Sequence, residues 1–246
     1  MAKHGPDPQE APSTNLSTWR RLKKNVFVAF FIDLVSIVAV ALVLSLLVKT
    51  FLIRSFFIPS DSMNNTLIQQ DRIIVNELVP NVVPLNRGDV VVFRDPGNWL
   101  GSVTTKPANV FVGAVDWFLS AFGVTAPDSE QHLVKRVIGL EGDRITCTDA
   151  EGKVQINGHT LTEPYLPPGT SPCGVVFDVT VPKGKIWVMG DNRNNSADSR
   201  YHQELPSKGF VDKKYVVGRA FVLSWPFARF KWLDDYPNVF KDVSKP

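Results

Sequence analysis

The chain has 246 residues, of which 44% are apolar and 21% charged, with a formal net charge of +3. That length accommodates one soluble domain plus an anchor, or two small domains. The charge is too small to argue for a nucleic-acid partner, and there is no Gly-rich phosphate loop, basic stripe with interleaved aromatics, or internal repeat.

Residues 1–25 are polar, contain three prolines and end in TWRRLKKN, the composition of a disordered tail. Val26 to Val48 follow as VFVAFFIDLVSIVAVALVLSLLV, 23 residues carrying one charge, Asp33. As a helix this run reaches about 35 Å at ~1.5 Å per residue, enough for a hydrocarbon core of about 30 Å. It is too long for the apolar part of a secretory signal, and no small-x-small cleavage site ends it. A single transmembrane helix over 26–48 is therefore expected, with the lipid bilayer as a partner. Arg20, Arg21, Lys23 and Lys24 precede the span, whereas Lys49 and Arg54 follow it. That asymmetry predicts a cytoplasmic amino terminus and an extracytoplasmic remainder. Asp33 lies near the inner end, where headgroups are within reach.

Beyond residue 55 the pattern becomes short β-type runs broken by Gly, Pro, Asn and Asp. Strands are predicted in DRIIVNEL, GDVVVF, HLVKRVIG, DRITCTD, KVQINGH, VVFDVTV, KIWVMG and VVGRAFVLS, with a tight hairpin at INGH. The expected fold is mainly β, an antiparallel sandwich or barrel, because no strand–helix alternation supports a parallel sheet. Its core is expected to occupy 49–148 and 184–230, interrupted by a small Pro- and Gly-rich β excursion or cap over 149–183. Residues 107–123 form an apolar insertion, read either as a surface element touching lipid or as a helix packed on the sheet. Residues 231–246 read as a polar C-terminal tail.

Cys147 and Cys173 lie 26 positions apart. In an extracytoplasmic domain they could form a disulfide worth on the order of 3 kcal/mol, or remain two free thiols. Two cysteines without histidines at ligand spacing do not make a zinc site. No metal or other cofactor is expected.

The stretch FFIPSDSMNNTL places Ser60 and Ser62 on either side of Asp61. In an extended segment Ser60 and Ser62 share a face and Asp61 points away, which leaves Asp61 poorly placed to act on Ser62. A nucleophilic serine needs a base. His132, His159 and His202 lack the accompanying Asp pattern of a Ser-His-Asp set and read as surface or structural residues. Lys135, in HLVKRVIGL, alternates with Leu133 and Val137 on one strand face, while Val134, Arg136 and Ile138 take the other. Burial there would disfavour its ammonium form and bring a neutral amine near neutral pH. The bland alternative is a lysine snorkelling from a strand edge. GDNRNNSADSR, 190–200, reads as a hydrogen-bonded loop. A calcium loop is excluded, because Arg193 stands where an oxygen ligand is needed and no Gly falls at the sixth position.

An apolar span followed in order by PSDSM, RGDVVVF, KRVIGLEGD and MGDNRNNSADSR resembles the bacterial type I signal peptidases, membrane-bound proteases with a serine–lysine dyad. The resemblance runs from about residue 34 to 225. It implies an extracytoplasmic antiparallel β catalytic domain with a small β excursion. It also implies Ser62 as nucleophile, Lys135 as general base, and the Ser60 hydroxyl with the Ser62 backbone N–H as oxyanion hole. Ser196 would hydrogen-bond and orient the lysine amine, with Asp198, Arg200 and Arg136 as supporting charges. Ile58, Met63, Leu67 and Val134 match positions lining pockets for small substrate side chains. The implied substrates are signal-peptide-bearing preproteins, with no obligate protein partner. Two departures stand out: Asp61 where the family often has Gly, and Asn65 where the family pattern has Pro.

Overall fold

The computed structural model describes residues 26–101 and 132–244. The expected tail at 1–25 and the apolar insertion at 107–123 lie outside the described residues. The chain divides into two compact units, 1–47 and 48–246.

Helix α1 runs over Val26–Phe51, most of it within the first unit. Phe27–Ser45 is long and apolar enough to cross a membrane, and large side chains such as Phe27 and Ile37 are exposed along it. The helix runs three residues past the predicted end, because backbone hydrogen bonding continues through Lys49 and Thr50 after the apolar composition stops.

The second unit is built on a large antiparallel sheet. Its strands are β1 (Ile53–Phe57), β2 (Arg72–Asn76), β3 (Val90–Arg94), β4 (His132–Gly139), β9 (Lys185–Met189), β10 (Val211–Asp212), β11 (Val216–Trp225) and β12 (Lys231–Trp232). The spatial order is β1-β2-β11-β3-β4-β9-β10, with β12 added on β11. Strand β4 spans the predicted HLVKRVIG, and its alternation sorts residues between cores. Leu133 and Val137 pack with Val91, Phe93, Ile186 and Val188. Val134 packs with Ile58, Met63, Leu67, Val90 and Val92. The register sets this division, pairing Val92 with Val134 and Val91 with Lys135.

A second sheet of four strands follows the order β7-β6-β5-β8, from β5 (Arg144–Cys147), β6 (Gln155–Ile156), β7 (His159–Thr160) and β8 (Phe177–Thr180). The predicted hairpin turn is there: Asn157 and Gly158 have φ of 52° and 82°, the paired left-handed geometry of a two-residue hairpin. The excursion starts earlier than residue 149, because among the described residues β5 pairs with β6 and β8 and with no strand of the large sheet. Its interior is Ile145, Val154, Ile156, Leu161 and Phe177, packed around the bonded pair Cys147–Cys173. The disulfide closes a loop with a sequence separation of 26. Replacing both cysteines with alanine is expected to lower unfolding free energy by about 3 kcal/mol in urea melts, from loop-closure entropy. A parental midpoint would contradict this.

Three elements escaped the sequence reading. IRSFF forms β1 and contributes Phe56, 2% exposed, to the core. Residues 231–244 are not a tail: β12 pairs Trp232 with Val222, and Phe240 and Val243 are buried. The two-residue β10 is too short to leave a periodic signal.

Candidate active site

Ser62 sits where the chain leaves β1 and turns sharply toward β2. The turn is held by Asn64 N–H donating to the Asp61 carbonyl at 3.0 Å and Leu67 N–H to the Met63 carbonyl at 2.7 Å. The segment is therefore not extended as expected. The two hydroxyls nonetheless meet, with Ser60 Oγ 3.3 Å from Ser62 Oγ. Asp61 is directed elsewhere and accepts from Gln69 Nε2 at 2.9 Å. Asn65 has φ of 85°, a left-handed conformation that Asn tolerates and the ring of proline forbids. The departure from the family pattern at this position thus suits this chain's own turn, and the Asn65 amide donates to the Tyr165 carbonyl at 2.9 Å.

Lys135 lies in the middle of β4 and is 3% exposed. Its Nζ is 2.6 Å from Ser62 Oγ, donating to it. Burial is the main cause of a pKa lowered to about 8. The charges of Asp198 and Asp191 oppose that shift, and Arg200 reinforces it. The strand thus supplies an amine poorly solvated by water and aimed at a hydroxyl.

Asp198 is fully buried, and its carboxylate is gripped by Arg200 through Nε at 2.9 Å and Nη2 at 2.8 Å, and by Gly190 N–H at 2.9 Å. Burial by itself would raise the Asp198 pKa. The Arg200 bonds and charge, the Gly190 N–H and the nearby Ser196 hydroxyl outweigh it and hold the group below its ordinary value. Ser196 is itself buried, but its Oγ forms no hydrogen bond of ordinary geometry, so the bond expected from it to the lysine amine is not made. Ser196 and Ser62 lie against Gly190, where any Cβ would run into the Ser196 hydroxyl and the Ser62 carbonyl. Only glycine lets the serine turn and the 190–200 loop approach this closely. Asn192 completes the junction, its N–H donating to the Ser62 carbonyl at 3.1 Å and its Nδ2 to the Asp61 carbonyl at 3.0 Å.

Arg136 is fully buried and pairs with Asp191 through Nε at 2.8 Å and Nη2 at 2.7 Å. It also donates to the Gly88 and Asp234 carbonyls and lies over the Tyr165 ring at 4.3 Å. Asp191 is the member of the site that the sequence motifs did not single out. The available signal was Arg136 itself, a guanidinium inside an apolar strand that requires a buried counter-ion. Ile58, Met63 and Leu67 are buried at 2%, 1% and 0% exposure, with Val134 at the margin at 9%, and all four join one core cluster. His202 shares a hydrogen bond with the Asp198 carbonyl at 2.7 Å and stacks on Trp99 at 4.3 Å, in keeping with a structural role. Among the described residues no group of three or more His, Cys, Asp or Glu could hold a metal ion.

The family model described as "Signal peptidase, peptidase S26" matches residues 31–225. The chain is 42% identical over 193 residues to signal peptidase I of Mycobacterium tuberculosis, covering 70% of this chain and 65% of that protein. It is 34% identical over 227 residues to the probable signal peptidase I-2 of a Synechocystis species, covering 92% of this chain and 82% of the relative. Among solved structures it is similar to signal peptidase I of Enterococcus faecalis, with a TM-score of 0.32 and 24% identity, covering 55% of this chain and 95% of that one. The match thus spans just under two thirds of the length of the mycobacterial relative.

Proposed function

The chain belongs to the signal peptidase family, peptidase S26, and from that premise we propose that it is a membrane-anchored serine endopeptidase that removes signal peptides from secretory precursors. The observation that carries this reading is the 2.6 Å approach of a buried Lys135 Nζ to Ser62 Oγ. Neutral Lys135 takes the hydroxyl proton as Ser62 Oγ attacks the scissile carbonyl. The developing oxyanion accepts from the Ser60 hydroxyl and the Ser62 backbone N–H, each such donor being worth roughly 3–4 kcal/mol of barrier. The lysine then returns its proton to the leaving amine, releasing the new amino terminus and leaving an acyl ester on Ser62. Water, deprotonated by the same amine, hydrolyses that ester.

Asp198, Arg200 and the Arg136–Asp191 pair hold the lysine's surroundings and set its charge balance. Ile58, Met63, Leu67 and Val134 form the apolar base on which small substrate side chains rest. Helix α1 anchors the protein, with residues 1–25 in the cytoplasm and the β unit on the extracytoplasmic side of the plasma membrane. Only 13 residues separate Val48 from Ser62, so no more than about 45 Å of chain tethers the nucleophile to the bilayer. Substrate and enzyme confined to one surface meet at raised effective concentration.

The test is incubation of the purified protein with one precursor and mass mapping of the cut bond across pH. Cleavage after a small-x-small sequence is expected. Protonated lysine cannot act as base, so kcat/KM should fall about tenfold per pH unit below a limb near pH 8. A cut elsewhere, or a rate flat from pH 6 to 9, would refute the reading.

A further inference from the structure

The excursion that begins with β5 is more than a cap, because it is bonded to the 190–200 loop, to the Ser62 turn and to Arg136 of β4. Glu163 and Arg193 form a two-pronged ion pair, Oε1 with Nη2 and Oε2 with Nη1, the side chains being 1% and 0% exposed. The same guanidinium donates through Nε to the Gly190 carbonyl at 3.0 Å and through Nη1 to the Pro172 carbonyl. Arg193 is therefore the joint between the excursion and the 190–200 loop. On one side of the joint, Gly190 N–H holds Asp198, the carboxylate nearest in effect to Lys135. On the other, Asn192 holds the carbonyl of Ser62. Arg200 closes the loop back on this joint, donating to the Arg193 carbonyl at 2.9 Å and to the Cys173 carbonyl at 2.8 Å. Tyr165 makes a second tie: its hydroxyl donates to Glu163 Oε1 at 2.6 Å, its carbonyl accepts from Asn65, and its ring lies on Arg136.

We propose that Glu163 is a positioning residue for the serine–lysine dyad, acting through Arg193 to keep the 190–200 loop closed over Lys135 and the Ser62 turn. This inference rests on the peptidase reading above. Without the charge of Glu163, the guanidinium keeps only its carbonyl partners, the loop loosens, and water reaches the lysine. The charged groups that act on Lys135 are Asp198, Asp191 and Arg200. Those around Arg193 are Glu163, Tyr165 and Asp191. Since burial is the main force lowering the lysine pKa, rehydration moves it upward.

Glu163→Gln keeps size and shape while removing the charge. It is expected to lower kcat at least about tenfold with KM changed less than about threefold, and to move the acid limb upward by about half a pH unit or more. The lysine is also titrated directly, by NMR of ¹³C-labelled side-chain methylenes in the full-length protein, which needs no substrate. Should Glu163→Gln fail to fold, Tyr165→Phe removes a single hydrogen bond to Glu163 and leaves the ring in place. Its expected effect is a smaller shift in the same direction. A purely structural role predicts reduced melting temperature with parental kcat, limb and Lys135 titration in the folded fraction, and that result overturns the proposal. Absence of precursor cleavage by the parent, or full cleavage by Ser62→Ala, overturns the peptidase reading instead, while the titration still reports on Glu163.

Discussion

Lys135→Met is expected to abolish precursor cleavage, at least about 10,000-fold in kcat/KM, and at the same time to make the folded protein more stable near neutral pH. The first effect follows from removing the only base in contact with Ser62 among the described residues. The second follows from the direction of the lysine's shift. Its folded pKa is lowered from 10.5 to about 8 by burial, so the unfolded chain holds the proton more firmly than the native one. Below pH 8 both states are charged and the full penalty for burying the ammonium is present. Between pH 8 and 10.5 the penalty fades as the native amine neutralises and stability rises with pH. Methionine, similar in length and uncharged, escapes that penalty. After allowing for one lost hydrogen bond, the gain is about 2 kcal/mol at pH 7 and vanishes toward pH 10.5. Ser62→Ala should lose activity to the same extent without gaining this pH-dependent stability. Urea melts at pH 6, 7.5 and 10 measure the difference. Equal stability of parent and Lys135→Met at pH 7 would show that the buried lysine carries no penalty, and parental cleavage by Lys135→Met or by Ser62→Ala would show that the lysine or the serine, respectively, is not required.

Asp191→Asn is expected to destabilise the β unit by roughly 3–5 kcal/mol. Arg136 and Asp191 are both completely buried and share two short hydrogen bonds. Arginine cannot neutralise itself by losing a proton, so removing the carboxylate strands a positive charge in the core. Thr66, whose hydroxyl donates to the same carboxylate, loses its partner as well. In the fraction that folds, Lys135 loses one of the two charges that raise its pKa. The acid limb of cleavage should therefore move to lower pH, opposite in sign to the shift expected for Glu163→Gln. Joint replacement with Arg136→Met and Asp191→Leu should recover much of the stability, since an apolar pair carries no desolvation cost. A single mutant as stable as the parent would mean that water, and not Asp191, balances Arg136.

Chemical and periodic features were legible from composition and spacing. The length and apolarity of Val26 to Val48 located helix α1, the short β-type run HLVKRVIG located β4, and Asn157-Gly158 located the hairpin. Lysine in an apolar run pointed to a perturbed amine, because burial acts on a group through its immediate sequence neighbours when a strand is enclosed on both faces. The motifs MGDNRNNSADSR and PSDSM marked which segments had to meet.

What stayed hidden were the consequences of that meeting. The turn at Ser62 depends on Asn65 adopting a left-handed conformation while its amide donates to the Tyr165 carbonyl, 100 residues away in sequence. The partnership of Arg136 with Asp191 spans 55 positions and that of Arg193 with Glu163 spans 30. Strand β1 and the C-terminal segment place their apolar residues without a regular period of two, and become ordered because the existing sheet and core offer them edges and cavities. Local pattern encodes which groups dislike water. Which of them end in contact is set by chain packing, where distant charges are forced to find one another once water is excluded.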